Sequence, residues 1–316
     1  MGFLEFNMQI LRAIAELRTP LLDTIIGLIT RAGEETVFMA VAMIFLWCVD
    51  KNKGYYLLLV GFTGTVLNQI LKLTFCIPRP WQLDPTFEIV ESAREAATGY
   101  SFPSGHTQTG AGTFFALARQ GRGKALRGAC VLMGLLIGFS RLYLGVHTPL
   151  DVVVSLVLAA VLSQVLYQTV EEAKRRPGYM FRLWVFMLIP AALFVLFALH
   201  ARAGVAADHP YLANYTSAIK TSVTILACTL GAIVTIVVDE NVTRFETEAV
   251  WWVQIIKVVL GLGLVVAVKA GLKAPLYDLL GQGSFFADGI RYFLMVIVAG
   301  VFWPLTFHFF SHLGRK

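Results

Sequence analysis

The chain has 316 residues, 57% of them hydrophobic and only 15% charged. A soluble domain carries roughly a quarter charged residues, so an ordinary soluble globular fold is excluded and one membrane-embedded helical bundle with short loops is expected. The net charge of +6 is the kind that gathers in cytoplasmic loops, and it is not read as a nucleic-acid surface.

Residues 3–31 alternate apolar and charged positions, with Arg12, Glu16 and Arg18 interrupting the first apolar stretch. That stretch lacks the basic start and small-residue cleavage site of a signal peptide. Leu11, Ile14 and Leu17 share one helical face, and Pro20 breaks the pattern. The spacing predicts an amphipathic helix on the membrane surface, then a short buried segment from Leu21 to Ile29, with a full span over 8–31 as the alternative.

Nine apolar runs follow, with cores near 36–49, 55–76, 107–118, 128–145, 149–169, 181–200, 219–238, 249–270 and 291–311. A span needs about 20 apolar residues, so the first and third must borrow flanking residues. The expected fold is all-α: a polytopic transmembrane bundle of about nine spans with an N-terminal amphipathic interfacial helix. Its expected divisions are an interfacial segment (1–34), a catalytic membrane core (35–170) and additional helices of unknown role (171–316). Cys48, Cys76, Cys130 and Cys228 fall in or beside apolar runs without paired spacing, which fits packing residues and argues against disulfides or a zinc site.

Loops after the first, third and fifth runs carry Lys51 and Lys53, then Arg119, Arg122, Lys124 and Arg127, then Lys174, Arg175, Arg176 and Arg182. The tail Arg315-Lys316 falls on the same side if nine spans are correct. By the positive-inside rule that side is cytoplasmic, so loop 77–106 and the turn 141–148 face the extracytoplasmic side.

Three clusters meet on that outer side: Lys72 with Arg79-Pro80; Pro103-Ser104-Gly105-His106; and Ser140-Arg141 with His147 and Asp151. Lys72, Arg79 and Arg141 suit a phosphoryl group whose oxygens gain charge. Ser104 and Gly105, at a helix start, are expected to offer backbone N–H groups to the same anion. His147 can attack phosphorus. Asp151, one helical turn on, would fix its tautomer, and His106 can protonate the leaving oxygen and then activate water.

The motifs Lys72-x6-Arg79-Pro80, Pro103-Ser104-Gly105-His106 and Ser140-Arg141-x5-His147-x3-Asp151 resemble the three motifs of the phosphatidic acid phosphatase type 2 superfamily, with no position missing. The resemblance covers roughly residues 35–170. It implies a helical phosphatase that works through a phosphohistidine without metal or other cofactor. It assigns His147 as nucleophile, Asp151 as its partner and His106 as general acid and base. Lys72, Arg79, Ser104, Gly105 and Arg141 become phosphate binders. The span count looks more like the nine-span glucose-6-phosphatases than the six-span members of the family.

In loop 81–101, Phe87, Val90, Glu91 and Arg94 have helical spacing and suggest a short amphipathic cover over the site. Asp84, Glu88, Glu91 and Glu95 read as solvated loop charges rather than metal ligands. Lys220, Lys257, Lys269 and His308 read as snorkelling or internally paired, with a substrate path as the alternative. The chain therefore reads as a hydrolase of a phosphate or pyrophosphate monoester. Its partners are a phosphorylated lipid and the bilayer of a bacterial cell, and its site faces outward. A sugar-phosphate phosphatase and an anion transporter are the competing readings. Oligomeric state is not legible.

Overall fold

The computed structural model describes residues 3–95 and 97–313, apart from the side chains of Phe3, Leu4, Ser311 and His312. The Arg315-Lys316 tail lies outside the described residues. Among these there are helices and loops and no strand. The helices are α1 (Phe3–Ala15), α2 (Pro20–Arg31), α3 (Glu35–Cys48), α4 (Lys51–Phe75), the single turn α5 (Pro80–Leu83), α6 (Gly105–Gln120), α7 (Lys124–Tyr143), α8 (Pro149–Arg175), α9 (Tyr179–Ala203), α10 (Leu212–Val238), α11 (Trp251–Gly271), α12 (Lys273–Leu280) and α13 (Phe285–Ile297). A π-helical turn joins α13 to the short α14 (Trp303–Leu305) and α15 (Phe307–His312).

Each of the nine apolar runs is helical. Seven of the helices are long and apolar enough to cross a membrane; α3 and α6 fall short. At 14 residues α3 reaches only about 21 Å, against a hydrocarbon core of about 30 Å. At 16 residues α6 is also short of the core, and it is less apolar as well. It is a small-residue helix, GHTQTGAGTFFALARQ, with Thr107, Gln108, Gly110, Ala111, Gly112, Thr113 and Ala116 buried. It packs chiefly on α7, so close that a Cβ on Gly110 would stand 2.8 Å from both the Gly33 Cα and an Ile137 methyl. Small residues that let backbones approach take the place of lipid-facing leucines.

The chain forms two compact units. The first comprises 1–39, 57–168 and 205–215; the second comprises 40–56, 169–204 and 216–316. In the first, α1 and α2 have 13 and 12 residues, each too short to span alone at about 1.5 Å per residue. The buried face of α1, through Met8 and Leu11, joins a core with Phe87, Ile89, Ala93, Tyr143, Leu144 and Val146. The α2 helix packs on α7 and leaves Leu21, Leu22, Ile25 and Leu28 exposed. The amphipathic pattern of α1 therefore finds a protein partner. Loop 84–95 is not the amphipathic helix that its spacing suggested. It contains one 3-10 turn, Glu91–Ala93, and is otherwise a strap. Val90 N–H donates to the Leu144 carbonyl, and Arg18 donates to the Glu88 and Tyr143 carbonyls. Asp84 pairs with Arg12 and accepts from Thr86, and Glu91 pairs with Arg94.

In the second unit Lys51, Lys257 and Asp288 have internal partners. Buried Lys257 donates to the Trp47 carbonyl at 2.9 Å and the Thr247 carbonyl at 3.2 Å, so it caps the C-terminal turn of α3. Lys51 pairs with Asp239 at 2.6 Å. Asp288 accepts from Arg291 and Tyr277 and lies 3.5 Å from Lys220. None of the four cysteines forms a disulfide.

Candidate active site

The antiparallel run of α4, α6, α7 and α8 brings the end of α4, the start of α6, the end of α7 and the start of α8 together in the first unit. All eight residues singled out above sit at those ends, and most are buried: Arg79 and Arg141 are 4% and 2% exposed, His147 and Asp151 2% and 1%.

Helix capping aims the two key groups of α8. Thr148-Pro149-Leu150-Asp151 is a reciprocal cap with proline at the first helical position. The Thr148 N–H donates to Asp151 Oδ2 at 2.7 Å, and the Asp151 N–H reaches back to the Thr148 hydroxyl at 3.4 Å. The carboxylate is thereby turned toward the ring that precedes it. His147 Nδ1 lies 3.4 Å from Asp151 Oδ2, and His147 Nε2 lies 2.8 Å from Arg79 Nη1. A guanidinium only donates, so Nε2 carries the lone pair and Nδ1 carries the proton that faces Asp151. Burial first, then the charges of Arg79, Lys72 and Arg141, hold this imidazole well below the usual histidine range. The ring, which lies in the turn between α7 and α8, therefore favours the neutral form, with Nε2 held against Arg79 and Nδ1 toward Asp151.

The three cations are held differently. Lys72 Nζ donates to the carbonyls of Tyr100, Ser101 and Pro103 at 2.8, 3.4 and 2.7 Å. Arg79 donates to the carbonyls of Gly99 at 2.9 Å, Thr98 at 2.6 Å and Val146 at 2.8 Å. Both are tied to loop backbone. Arg141 is not: Nη1 donates to the Thr30 hydroxyl at 2.7 Å, while Nε and Nη2 are buried without a partner. Asp151 Oδ1 is likewise unpaired.

At the start of α6, Ser104 is the cap, and its hydroxyl accepts from the Thr107 N–H and hydroxyl. Its own N–H does not face outward as the sequence suggested. It donates to the Asp151 carbonyl at 3.2 Å, which locks α6 to α8. The amides of Gly105 and His106 are left as first-turn donors without an acceptor in their own helix. A Cβ at Gly105 would meet nothing nearer than Asn68 Oδ1 at 3.9 Å.

One site member, the first residue of the Ser101–His106 stretch, was given no role from sequence. Ser101 is fully buried; its hydroxyl donates to Asp151 Oδ2 at 2.5 Å and lies 3.4 Å from His147 Nδ1. The only signal was its place two residues before Pro103, where a serine reads as ordinary turn chemistry.

Residues 52–175 match the family model of the PAP2 superfamily, which takes in all three motif clusters. Residues 223–315 match that of the PAP2 superfamily phosphatase, transmembrane extension. The chain is 32% identical over 162 residues to the undecaprenyl-diphosphatase BcrC of Bacillus subtilis, covering 49% of this chain and 80% of that one. The chain belongs to the PAP2 superfamily. It is also 27% identical over 163 residues to the undecaprenyl-diphosphatase of Sulfolobus acidocaldarius, covering 50% of this chain and 75% of the other. The crystal structure of Aquifex aeolicus LpxE aligns at 30% identity and a TM-score of 0.43, over 52% of this chain and 95% of that one. As a PAP2 protein this chain is an integral membrane phosphoric monoester or diphosphate hydrolase, a lipid phosphatase.

Proposed function

We propose that this PAP2 lipid phosphatase removes a terminal phosphate from a lipid phosphate or diphosphate through a phosphohistidine, with no metal ion. The observation that carries the reading is Arg141: a buried guanidinium with two unpartnered nitrogens, at the same helix ends as a neutral histidine and two further cations. Such an arrangement is complementary to a dianionic group that is not yet present.

In the proposed sequence, the phosphoryl group settles among Arg141, Arg79, Lys72, the amides of Gly105 and His106, and the Ser104 hydroxyl. His147 Nε2 attacks phosphorus in line. The N–P bond forms as the P–O bond to the lipid breaks, and His106 gives the leaving oxygen its proton. Asp151 holds the Nδ1 proton and balances the charge that develops on the ring. His106, now neutral, takes a proton from water; the hydroxide attacks phosphorus, the N–P bond breaks, and phosphate leaves. The metal-free part rests on the donor set, because three cations already stand where a divalent ion would be repelled. Among the described residues no three His, Cys, Asp or Glu side chains converge as metal ligands.

We place the site on the extracytoplasmic face of a bacterial cell membrane, with 35–170 as catalytic core and 171–316 as an extension. Support for the face comes from the basic loops at the opposite helix ends. The substrate panel is undecaprenyl diphosphate, phosphatidate, sphingosine phosphate and glucose 6-phosphate, read by phosphate release. A lipid in the panel is expected to be turned over fastest. Preference for glucose 6-phosphate would overturn the lipid assignment, and anion flux with no phosphate release would overturn the enzyme.

Orthovanadate is expected to compete with substrate because its five-coordinate form mimics the transition state. EDTA should leave the rate within about twofold, and loss of activity restored by one divalent ion would contradict the metal-free mechanism. Ser101→Ala is expected to lower kcat about tenfold or more with KM little changed, as loss of a group that orients a catalytic side chain does elsewhere. An unchanged kcat would show that the reciprocal cap alone holds Asp151.

A further inference from the structure

Four consecutive loop residues carry most of the acceptors of the phosphate site. The carbonyls of Thr98 and Gly99 hold Arg79, those of Tyr100 and Ser101 hold Lys72, and the Ser101 hydroxyl reaches Asp151. This strap has no helix or strand of its own. Gly99 turns it with φ +75°, a conformation that other residues rarely adopt. Its Ser101 N–H is fixed to the Ile77 carbonyl at 2.7 Å.

The rest of its support comes from residues 205–215, the connection between α9 and α10 together with the first turn of α10, which belong to the first unit and lie outside both family-matched segments. The Tyr100 ring stacks on Tyr211 at 4.9 Å and meets Tyr215 edge-on at 6.3 Å. The Tyr100 and Tyr215 hydroxyls are 3.3 Å apart, and Cys76 Sγ, at the end of α4, is 3.7 Å from the Tyr215 hydroxyl. Asn214 Oδ1 stands 3.4 Å from where a Gly99 Cβ would be. His209 packs on both tyrosines, and its Nδ1 accepts the Tyr211 N–H at 3.1 Å. Tyr100 and Tyr215 are 4% and 8% exposed.

We propose that the 205–215 connection is a positioning element of the phosphatase site. Tyr211, Asn214 and Tyr215 clamp the strap and thereby fix where Arg79 and Lys72 present their charge. The inference rests on the phosphatase reading of the site. None of these residues touches substrate in this scheme; they act through backbone carbonyls that orient cations.

The test uses the full chain in lipid nanodiscs, with inorganic orthovanadate affinity and the kcat and KM for undecaprenyl diphosphate as readouts. Tyr215→Ala and Tyr211→Ala are expected to weaken vanadate binding about tenfold, from loss of the aromatic contacts, and to lower kcat more than they raise KM. Tyr215→Phe keeps the ring and should restore both to within about twofold. If Tyr215→Ala does not yield folded protein, Tyr211→Ala decides, because Tyr211 is only half-buried. Folded alanine variants with wild-type vanadate affinity and kcat would overturn the clamp. A lowered thermal midpoint with those two quantities unmoved would overturn it equally. If the wild type cleaves no lipid, the phosphatase reading fails, while vanadate affinity still reports on the strap.

Discussion

His147→Ala is expected to lower phosphate release from the lipid substrate by about 10⁴-fold or more, while the chain still inserts and folds. The expectation follows from what the ring alone supplies. Nε2 is a lone pair in a buried, cation-lined site, and its partner nitrogen is already protonated toward Asp151. Alanine leaves Arg79, Arg141 and Lys72 to bind phosphate but gives phosphorus nothing to bond to. Arg79 keeps its bonds to the Thr98, Gly99 and Val146 carbonyls, so the strap survives the change. Vanadate affinity should therefore fall far less than turnover. Radiolabelled substrate in a rapid quench supplies a second check. Wild type should hold label in an acid-labile, base-stable form, as expected of a phosphoramidate, and His147→Ala none. His106→Ala should hold it longer than wild type, because water is no longer activated. Full turnover by His147→Ala would remove the nucleophile from the mechanism.

That experiment probes residues the sequence already displays, and there is a physical reason why they were visible. Lys72, Arg79, His106, Arg141, His147 and Asp151 are polar residues at the ends of apolar helices. Their spacings are fixed by helix geometry, so chain order alone places them at one depth. Even the aim of Asp151 is local, because Thr148-x-x-Asp151 is a cap motif. What stayed hidden depends on tertiary partners. The apolar face of α1 fits a membrane surface as well as it fits Phe87, Leu144 and Val146, and periodicity does not distinguish the two. The helical spacing of Phe87, Val90, Glu91 and Arg94 was overridden by the Val90 and Arg18 bonds, which draw that loop out into a strap. The α6 run is short and rich in small residues because its neighbours are helices rather than lipid. The N–H of Ser104 looked available because its acceptor, the Asp151 carbonyl, is 47 positions away. Ser101 stands in the Ser101–His106 stretch with no residue pattern that marks its role, and Tyr215 carries no local mark. A buried serine and a buried tyrosine become informative only when the group they touch is known.

Arg141 combines a large loss of function with an unusual stability consequence. Arg141→Leu is expected to lower kcat/KM by about 10²-fold to 10³-fold, the loss seen when one donor to a developing oxyanion is removed. Its ligand-free form should unfold at the same temperature as wild type or higher. The guanidinium is 2% exposed, and only Nη1 has a partner, the Thr30 hydroxyl. No carboxylate pairs with it among the described residues, and Nε and Nη2 have no hydrogen-bond partner. Burying a charge without a counter-ion costs on the order of several kcal/mol. One hydrogen bond returns at most about 3 kcal/mol when one partner is charged. Leucine removes that cost and loses the bond, so the net effect on the empty protein favours the variant or is near zero. Phosphate or vanadate should reverse the order, raising the midpoint of wild type and leaving the variant nearly unmoved. Arg141→Lys keeps the charge but loses the planar fork, so it should recover only part of kcat/KM. Thermal melts with and without vanadate, set beside the kinetics, decide the matter. A ligand-free Arg141→Leu that melts several degrees early would make Arg141 a structural anchor through Thr30. If it melts with wild type and has lost activity, Arg141 is a charge kept buried and unpaired for the phosphoryl group.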